Sequence, residues 1–568
     1  MYIAVVPNRS SPPAILLRES YRQGGKVCSR TLANLSRLSP RQVEAMRRVL
    51  RGEALVAPET LVEKVRDRAH GAVDAVRQTM RRLGFESLIG AKRSRERDII
   101  MALVAARIVA PDTKLATTRW WHTTTLPDDL GVSDASEDDA YEAMDWLLER
   151  QGSIEKKLAA RHLKQGGLVL YDLSSSYFEG TTCPLAKLGY NRDGKKGKLQ
   201  VNYGLLTDAR GCPVAVSVFE GNTADPKTLL PAVEKVRQDF GVDELVLVGD
   251  RGMISQRQID SLSKESGVAW ITALKTTQIR KLMASGALQL GLFDDRNLFA
   301  VEHPDFPGER LIACKNPELA KLRAHKRGSM LAATSKELDK VRGMVERGRL
   351  QGKGRIGVRI GKVIDKYKMA KHFILEVTDM SFSFQLRLEQ IEQEAALDGI
   401  YIVRTSLPVS RASDEDAVRN YKKLANVERA FRSMKTIDLH VRPIHHRLAS
   451  RVRAHIFLCM LAHYIEWHMR EAWRPLLFSD EDQDAKEKRD PVVPAKRSAA
   501  ALRKVRTRTL DDGTPAHSFG TLLTELGTIT RSTCRPAHAD SDEDSFELLT
   551  TPTAKQERAF DLLKTIAV

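Results

Sequence analysis

Three carboxylates stand in settings where they could hold a hard cation. Asp172 follows the apolar run Leu168-Val169-Leu170, behind Gly166-Gly167 and ahead of Ser174-Ser175-Ser176. Such a run reads as a strand buried on both faces, and a carboxylate at its tip can grip a cation at the rim of a sheet. Taken alone, Asp172 reads more readily as the cap of a turn than as a cation ligand. Asp250 closes a second run of this kind, Glu244 to Gly249, and precedes Arg251-Gly252. Glu428 lies in a helical pattern from about Asp414 to Lys435, with Tyr421 seven residues before it and Lys435 seven after. Seven steps of a helix fall about 20° short of two turns, so phenol, carboxylate and ammonium share one face. Leu424, Val427 and Phe431 form the packing stripe beside it. An isolated Glu428 would instead pair with Arg432 at i+4.

The elements that must position these groups follow from pattern. Residues 1–38 hold short alternating runs and turn residues, a small β-rich element. Residues 39–165 read as helical, opened by Ser39-Pro40 as N-cap and first-turn proline. Asp98 to Ala110 is nearly all apolar and ends at Pro111, so it should be a core helix, packed by Trp120, Trp121 and Trp146. In 166–275 the Asp172 strand is followed by Gln200 to Thr207 and Pro213 to Phe219, an antiparallel hairpin turned by Asp208-Ala209-Arg210-Gly211. A helix from Asp225-Pro226, the Asp250 strand, a helix from about Ser255 and a strand Val268 to Leu274 complete it. That order is expected of an α/β, ribonuclease H-like mixed sheet, in which Asp172 and Asp250 finish neighbouring strands. Residues 276–412 read as a basic, β-rich insertion, and 413–473 return to the core with the Glu428 helix. Residues 474–568 are mixed in charge, loosely ordered over Asp480 to Lys504, with short helical patterns at Leu522–Leu526 and Gln556–Leu563; this region is a candidate for dimerisation.

Composition bounds the partners. The 568 residues carry 91 Lys plus Arg against 73 Asp plus Glu, a net charge of +18. A surplus of that size points to a polyanion, nucleic acid before membrane. From Asn316 to His372 sixteen Lys and Arg face five Asp and Glu, a net +11 concentrated in a tenth of the chain. Leu319 to Arg349 reads either as a solvated charged helix or as a DNA contact. Arg355-Ile356-Gly357-Val358-Arg359-Ile360-Gly361 reads as a strand with Ile356, Val358 and Ile360 on one face. Arg355 and Arg359 would then lie on the other with two glycines, open to a DNA phosphate. Six scattered cysteines without a Cys-x-x-Cys pair argue against a zinc module or a disulfide framework. The start lacks the regions of a signal peptide, and Ile456 to Ile465 is too short to span a bilayer. A cytoplasmic protein is expected, with no membrane partner.

The pieces YDLSSSYFEG (171–180), EGNTAD (220–225), VGDRGM (248–253) and the Tyr421, Glu428, Lys435 helix together resemble the DDE transposases of bacterial insertion sequences. The resemblance is to the IS-four-like superfamily with a β-rich insertion before the third acid. ARIVAPDTK (106–114) and VRPIHH (441–446) resemble stretches of a subgroup that, like this chain, has leucine at 424 where the Tyr-Arg-Glu-Lys signature has arginine. The resemblance implies that Asp172, Asp250 and Glu428 are catalytic and bind two Mg²⁺ ions, with Mn²⁺ as a substitute. It implies that Tyr421 and Lys435 grip phosphates beside the scissile bond, with Arg432 as a further contact. Activity would be cut-and-paste transposition: binding terminal inverted repeats, cleaving them and joining 3′-hydroxyls to target DNA, as a homodimer on DNA. A ribonuclease H-like endonuclease that cuts without joining, or an inactive DNA-binding descendant, are the alternatives. No tryptophan lies between 276 and 412, which leaves Tyr367, Phe382 and Phe384 as aromatics for a flipped base.

Overall fold

Strands form where apolar and β-branched residues run together, and in the described residues half of them join one sheet. A computed structural model describes the protein apart from residues 10, 54–61, 294–295, 537–544 and 568. The chain divides into two compact units, one made of Met1–Arg68 with Ile529–Thr551, the other of Ala69–Thr528 with Pro552–Val568.

In the smaller unit β1 (Tyr2–Val6), β2 (Ala14–Gln23) and β3 (Lys26–Asn34) form an antiparallel sheet. The helix Pro40–Leu50 follows, and Ser39 and Gln42 satisfy each other's orphan N–H groups in a capping box. The expected helical run from Ser39 is then broken by β4 (Val62–Ala69), which pairs with the strand Thr530–Pro536. Its sequence, VEKVRDRA, is mostly exposed and charged, so no local pattern marks it; a partner more than 450 residues away makes it a strand.

The larger unit is built on an eight-stranded sheet. β5 (Gly167–Tyr177), β6 (Gln200–Thr207) and β7 (Pro213–Glu220) form an antiparallel meander. β8 (Leu245–Val248) lies parallel to β5, and β9 (Val268–Ala273) parallel to β8. The sheet does not stop there. β10 (Leu298–Val301), β11 (Arg310–Lys315) and β14 (Ile400–Thr405) extend it in the order β10-β11-β14-β9-β8-β5-β6-β7.

That extension corrects the expected insertion. The ends of 276–412 belong to the core sheet, and the arm between β11 and β14 is mainly helical rather than β-rich. It consists of α2 (Pro317–Glu346), α3 (Lys353–Tyr367), the two-stranded hairpin of β12 (Phe373–Val377) and β13 (Phe382–Leu386), and a short helix Leu388–Ala395. The Leu319–Arg349 stretch is thus a charged helix. The Gly/Arg run is a helix as well, not a strand. Periods of two and four both bring Ile356 and Ile360 to one side, and both are buried; Val358 decides the matter, because it is 63% exposed. Phe382 and Phe384 pack into the core of this arm with Phe373, so those two rings are not presented to a base.

Helices cover the sheet. α1 (Arg95–Val109), the expected core helix, is buried continuously from Asp98 to Ile108 and packs against α6 (Ala449–Ala472), which is buried almost all round. Helices apolar on every side must be interior. The expected Glu428 helix is bent: α4 (Asp414–Lys422) ends, α5 (Leu424–Arg432) begins after Lys423, and a wider turn covers Ser433–Ile437. The Asp480–Lys504 stretch also gains structure, since helices span Gln483–Lys488 and Ala499–Thr507.

Candidate active site

Register brings the first two acids together. In the parallel pair Leu170 lies opposite Val248, so Asp172 and Asp250, each two residues on, emerge at the same level. Asp172 is not at the tip of its own strand, because β5 continues to Tyr177 with Asp172 opposite Leu205 of β6. The rim it occupies is made by the end of β8 alone. Gly249 leaves room there for the Ile254 side chain, which a Cβ would meet at 2.9 Å. On β6, Gly204 leaves room for the Tyr171 ring beside the site.

Glu428 arrives from α5, which packs on β5. It is exposed, and among the described residues no ion pair ties it to Arg432. The three carboxylates feel one another. Burial pushes the Asp172 carboxyl up to about 7, and the charges of Asp250 and Glu428 push the same way, against a hydrogen bond from the Leu173 N–H at 2.8 Å and the charge of Arg192. Asp250 is exposed, and its carboxylate accepts a long bond, 3.4 Å, from the Gly252 N–H. Oxygen donors with uncompensated negative charge are what a hard divalent cation requires.

The flanking groups divide. Tyr421 lines a cleft of about 270 Å³ with Asp250, Arg251, Thr276 and Arg323. Burial and the charges of Asp250 and Glu428 push its phenol up to about 12, so it is a hydrogen-bond donor at neutral pH. Lys435 is buried instead: its Nζ pairs with Asp193 at 2.6 Å and donates to Ser174 Oγ at 3.1 Å. Ser174 shares the face of β5 with Asp172, roughly 7 Å along the strand. Arg432 is exposed on α5. Arg355 and Arg359 do not approach a close backbone across a strand. They stand exposed on α3, four residues apart, in a stripe continued by Lys362 and Lys366.

Two charged residues escaped sequence reasoning. Asp193 is buried, ties Lys435 and Arg442 together and accepts a bond from the Tyr177 N–H at 2.9 Å. Arg192 pairs with Asp225 of EGNTAD and lowers the Asp172 carboxyl. Both sit in Asn191-Arg192-Asp193-Gly194, which has the composition of an ordinary turn. A different donor set, His162, Cys212 and His468, has ligand atoms within 4.8 Å of one another. Sulfur and imidazole suit softer metals than magnesium, and burial holds the Cys212 thiol protonated.

The Transposase DDE domain family model matches residues 168–465, which contain all three acids. The chain belongs to the DDE transposases. A second model, the N-terminal domain of IS1634 family transposases, matches residues 3–68 of this insertion-sequence transposase. No curated protein matches it. Among solved structures it is similar to a piggyBac transposase synaptic complex with hairpin DNA, at 9% identity and a TM-score of 0.34, over 80% of this chain and 77% of that one. A likeness that distant carries no argument. The transposase is a mixed α/β protein, and among its described residues no helix is long and apolar enough to cross a membrane.

Proposed function

We propose that this transposase binds the terminal inverted repeats of its insertion sequence, cleaves DNA at their ends and joins the freed 3′-hydroxyls to target DNA. The observation that carries the reading is the meeting of Asp172 and Asp250 across a parallel strand pair, with Glu428 near enough to raise the Asp172 carboxyl further. The meander β5-β6-β7 followed by parallel β8 and β9 supports a ribonuclease H-like core. Asp172, Asp250 and Glu428 would hold two Mg²⁺ ions, with Mn²⁺ as a substitute. Bound there, such ions activate the attacking oxygen and stabilise the leaving one in an in-line displacement.

The chain's own groups orient the DNA. The Tyr421 phenol, kept protonated beside Asp250, donates to a phosphate oxygen next to the scissile bond, and Arg432 offers a second, exposed contact. Lys435 acts from beneath, holding Ser174 and Asp193 in place and adding positive charge to the floor of the site. Arg355 and Arg359 follow the backbone along the arm. Two ends must be held at once, so a homodimer on DNA is the working assembly. The test is cleavage of inverted-repeat duplex with Mg²⁺ by Asp172→Asn, Asp250→Asn and Glu428→Gln. Each should lose at least about 1000-fold in rate while still binding the duplex. Full cleavage by any one of them removes that residue from the site.

A further inference from the structure

Away from the three acids, the two subgroup-like stretches Ala106–Lys114 and Val441–His446 meet. Together with the start of α6 they line an open cleft of about 620 Å³. Its charge is one-sided. Arg107, Lys114, Arg442, Arg447 and Arg451 line it with four histidines, and Asp112 is the one carboxylate among the described lining residues. Asp112 is itself engaged, accepting a bond from the Thr113 N–H at 2.7 Å.

Lys114 decides what this cleft is for. It is 3% exposed, lines the cleft and has no hydrogen bond or ion pair with any described residue. Burial, with the Arg107 guanidinium beside it, lowers its ammonium to about 7. The same surroundings hold His446 and His455 neutral. Two of the arginines do have acids: Arg442 shares Asp193 with Lys435, and Arg451 reaches Asp145 only at 3.8 Å. Holding an ammonium in such a place without a counter-charge is unfavourable. Folding tolerates such a cost where a ligand later cancels it. The geometry adds a further donor set, since Leu448 lines the cleft as N-cap of the 24-residue α6 and no side chain caps that end. The start of α6 thus borders the cleft, and the positive end of a helix dipole favours an anion near it.

We infer that this cleft is a second phosphate subsite, which seats a backbone phosphate of DNA on Lys114, the neighbouring arginines and the start of α6. This deepens the transposase reading, since the phosphate comes from the same DNA. A backbone phosphate supplies the charge that is missing and is sequence-independent, so the subsite positions DNA without reading it.

The test uses the full-length protein, Lys114→Met and the rim variant Arg451→Gln. In the first arm, thermal unfolding is followed with and without inorganic phosphate. Without phosphate Lys114→Met should melt above wild type, because an uncompensated buried cation is gone; phosphate should raise wild type and leave Lys114→Met unmoved. In the second arm, affinity for duplex DNA is measured against salt concentration without Mg²⁺. Lys114→Met should bind about tenfold more weakly, with a salt slope shallower by about one, and Arg451→Gln should move the same way. Equal phosphate shifts in wild type and Lys114→Met overturn the subsite. A phosphate shift with unchanged DNA affinity in both variants overturns its assignment to DNA. Neither arm reads cleavage, so an inactive acidic triad would leave the result standing.

Discussion

Asp172 carries a cost that the metal-free protein cannot avoid. Its folded carboxyl sits at about 7 and an unfolded one near 4. Between those values the folded state keeps a proton that the unfolded chain has lost, so stability falls as pH rises through that window. Asp172→Asn should therefore melt above wild type at pH 8 in chelator and match it near pH 4; calorimetry across that range checks the sign. Mg²⁺ should close the gap at pH 8 by stabilising wild type alone. The Asp193 cluster makes the opposite prediction. Asp193 is buried between Lys435 and Arg442, so Asp193→Asn leaves a buried ammonium and a half-buried guanidinium without their shared counter-charge. Breaking such a cluster costs about 3–5 kcal/mol, measurable by denaturant unfolding. The acids of the candidate site stand out in the sequence because each follows an apolar run or sits in a periodic helix. Asp193 does not, because its work depends on Lys435 and Arg442, more than 240 residues away.

At the scale of elements, α3 shows where pattern runs out. Arg355 to Gly361 fits two periods equally at Ile356 and Ile360, and only the surroundings of Val358 tell them apart. Ile360→Ala should destabilise the arm by about 2–5 kcal/mol, whereas Val358→Ala should stay within about 0.5 kcal/mol. A strand would have made the two comparable, so unfolding of the paired variants discriminates. On the exposed side, replacing both Arg355 and Arg359 with Ala should flatten the salt dependence of DNA binding by about two, one per lost phosphate contact. The strands bearing Asp172 and Asp250 are found from sequence because their apolar runs are local. The fate of 276–412 is not, since β14 is placed by pairing with β9 across more than 120 residues. Likewise the kink at Lys423 leaves no mark in composition, because α4 and α5 keep helical pattern on both sides of it.

For the whole molecule, the +18 surplus is distributed with purpose. The arm carries an exposed stripe on α3, and the larger unit carries an open basic cleft where Ala106–Lys114 meets Val441–His446. The large sheet carries one candidate acid on its first strand and one just after its fourth, and the third lies on a helix beyond the arm. The family match spans that entire stretch. The central claim is that these three carboxylates share divalent ions over DNA. Anomalous diffraction from crystals of the full chain with an inverted-repeat duplex and Mn²⁺ measures this most directly. The account predicts anomalous peaks roughly 2.0–2.4 Å from oxygens of Asp172, Asp250 and Glu428. Peaks ligated elsewhere, or none at these residues with DNA seated, would contradict it.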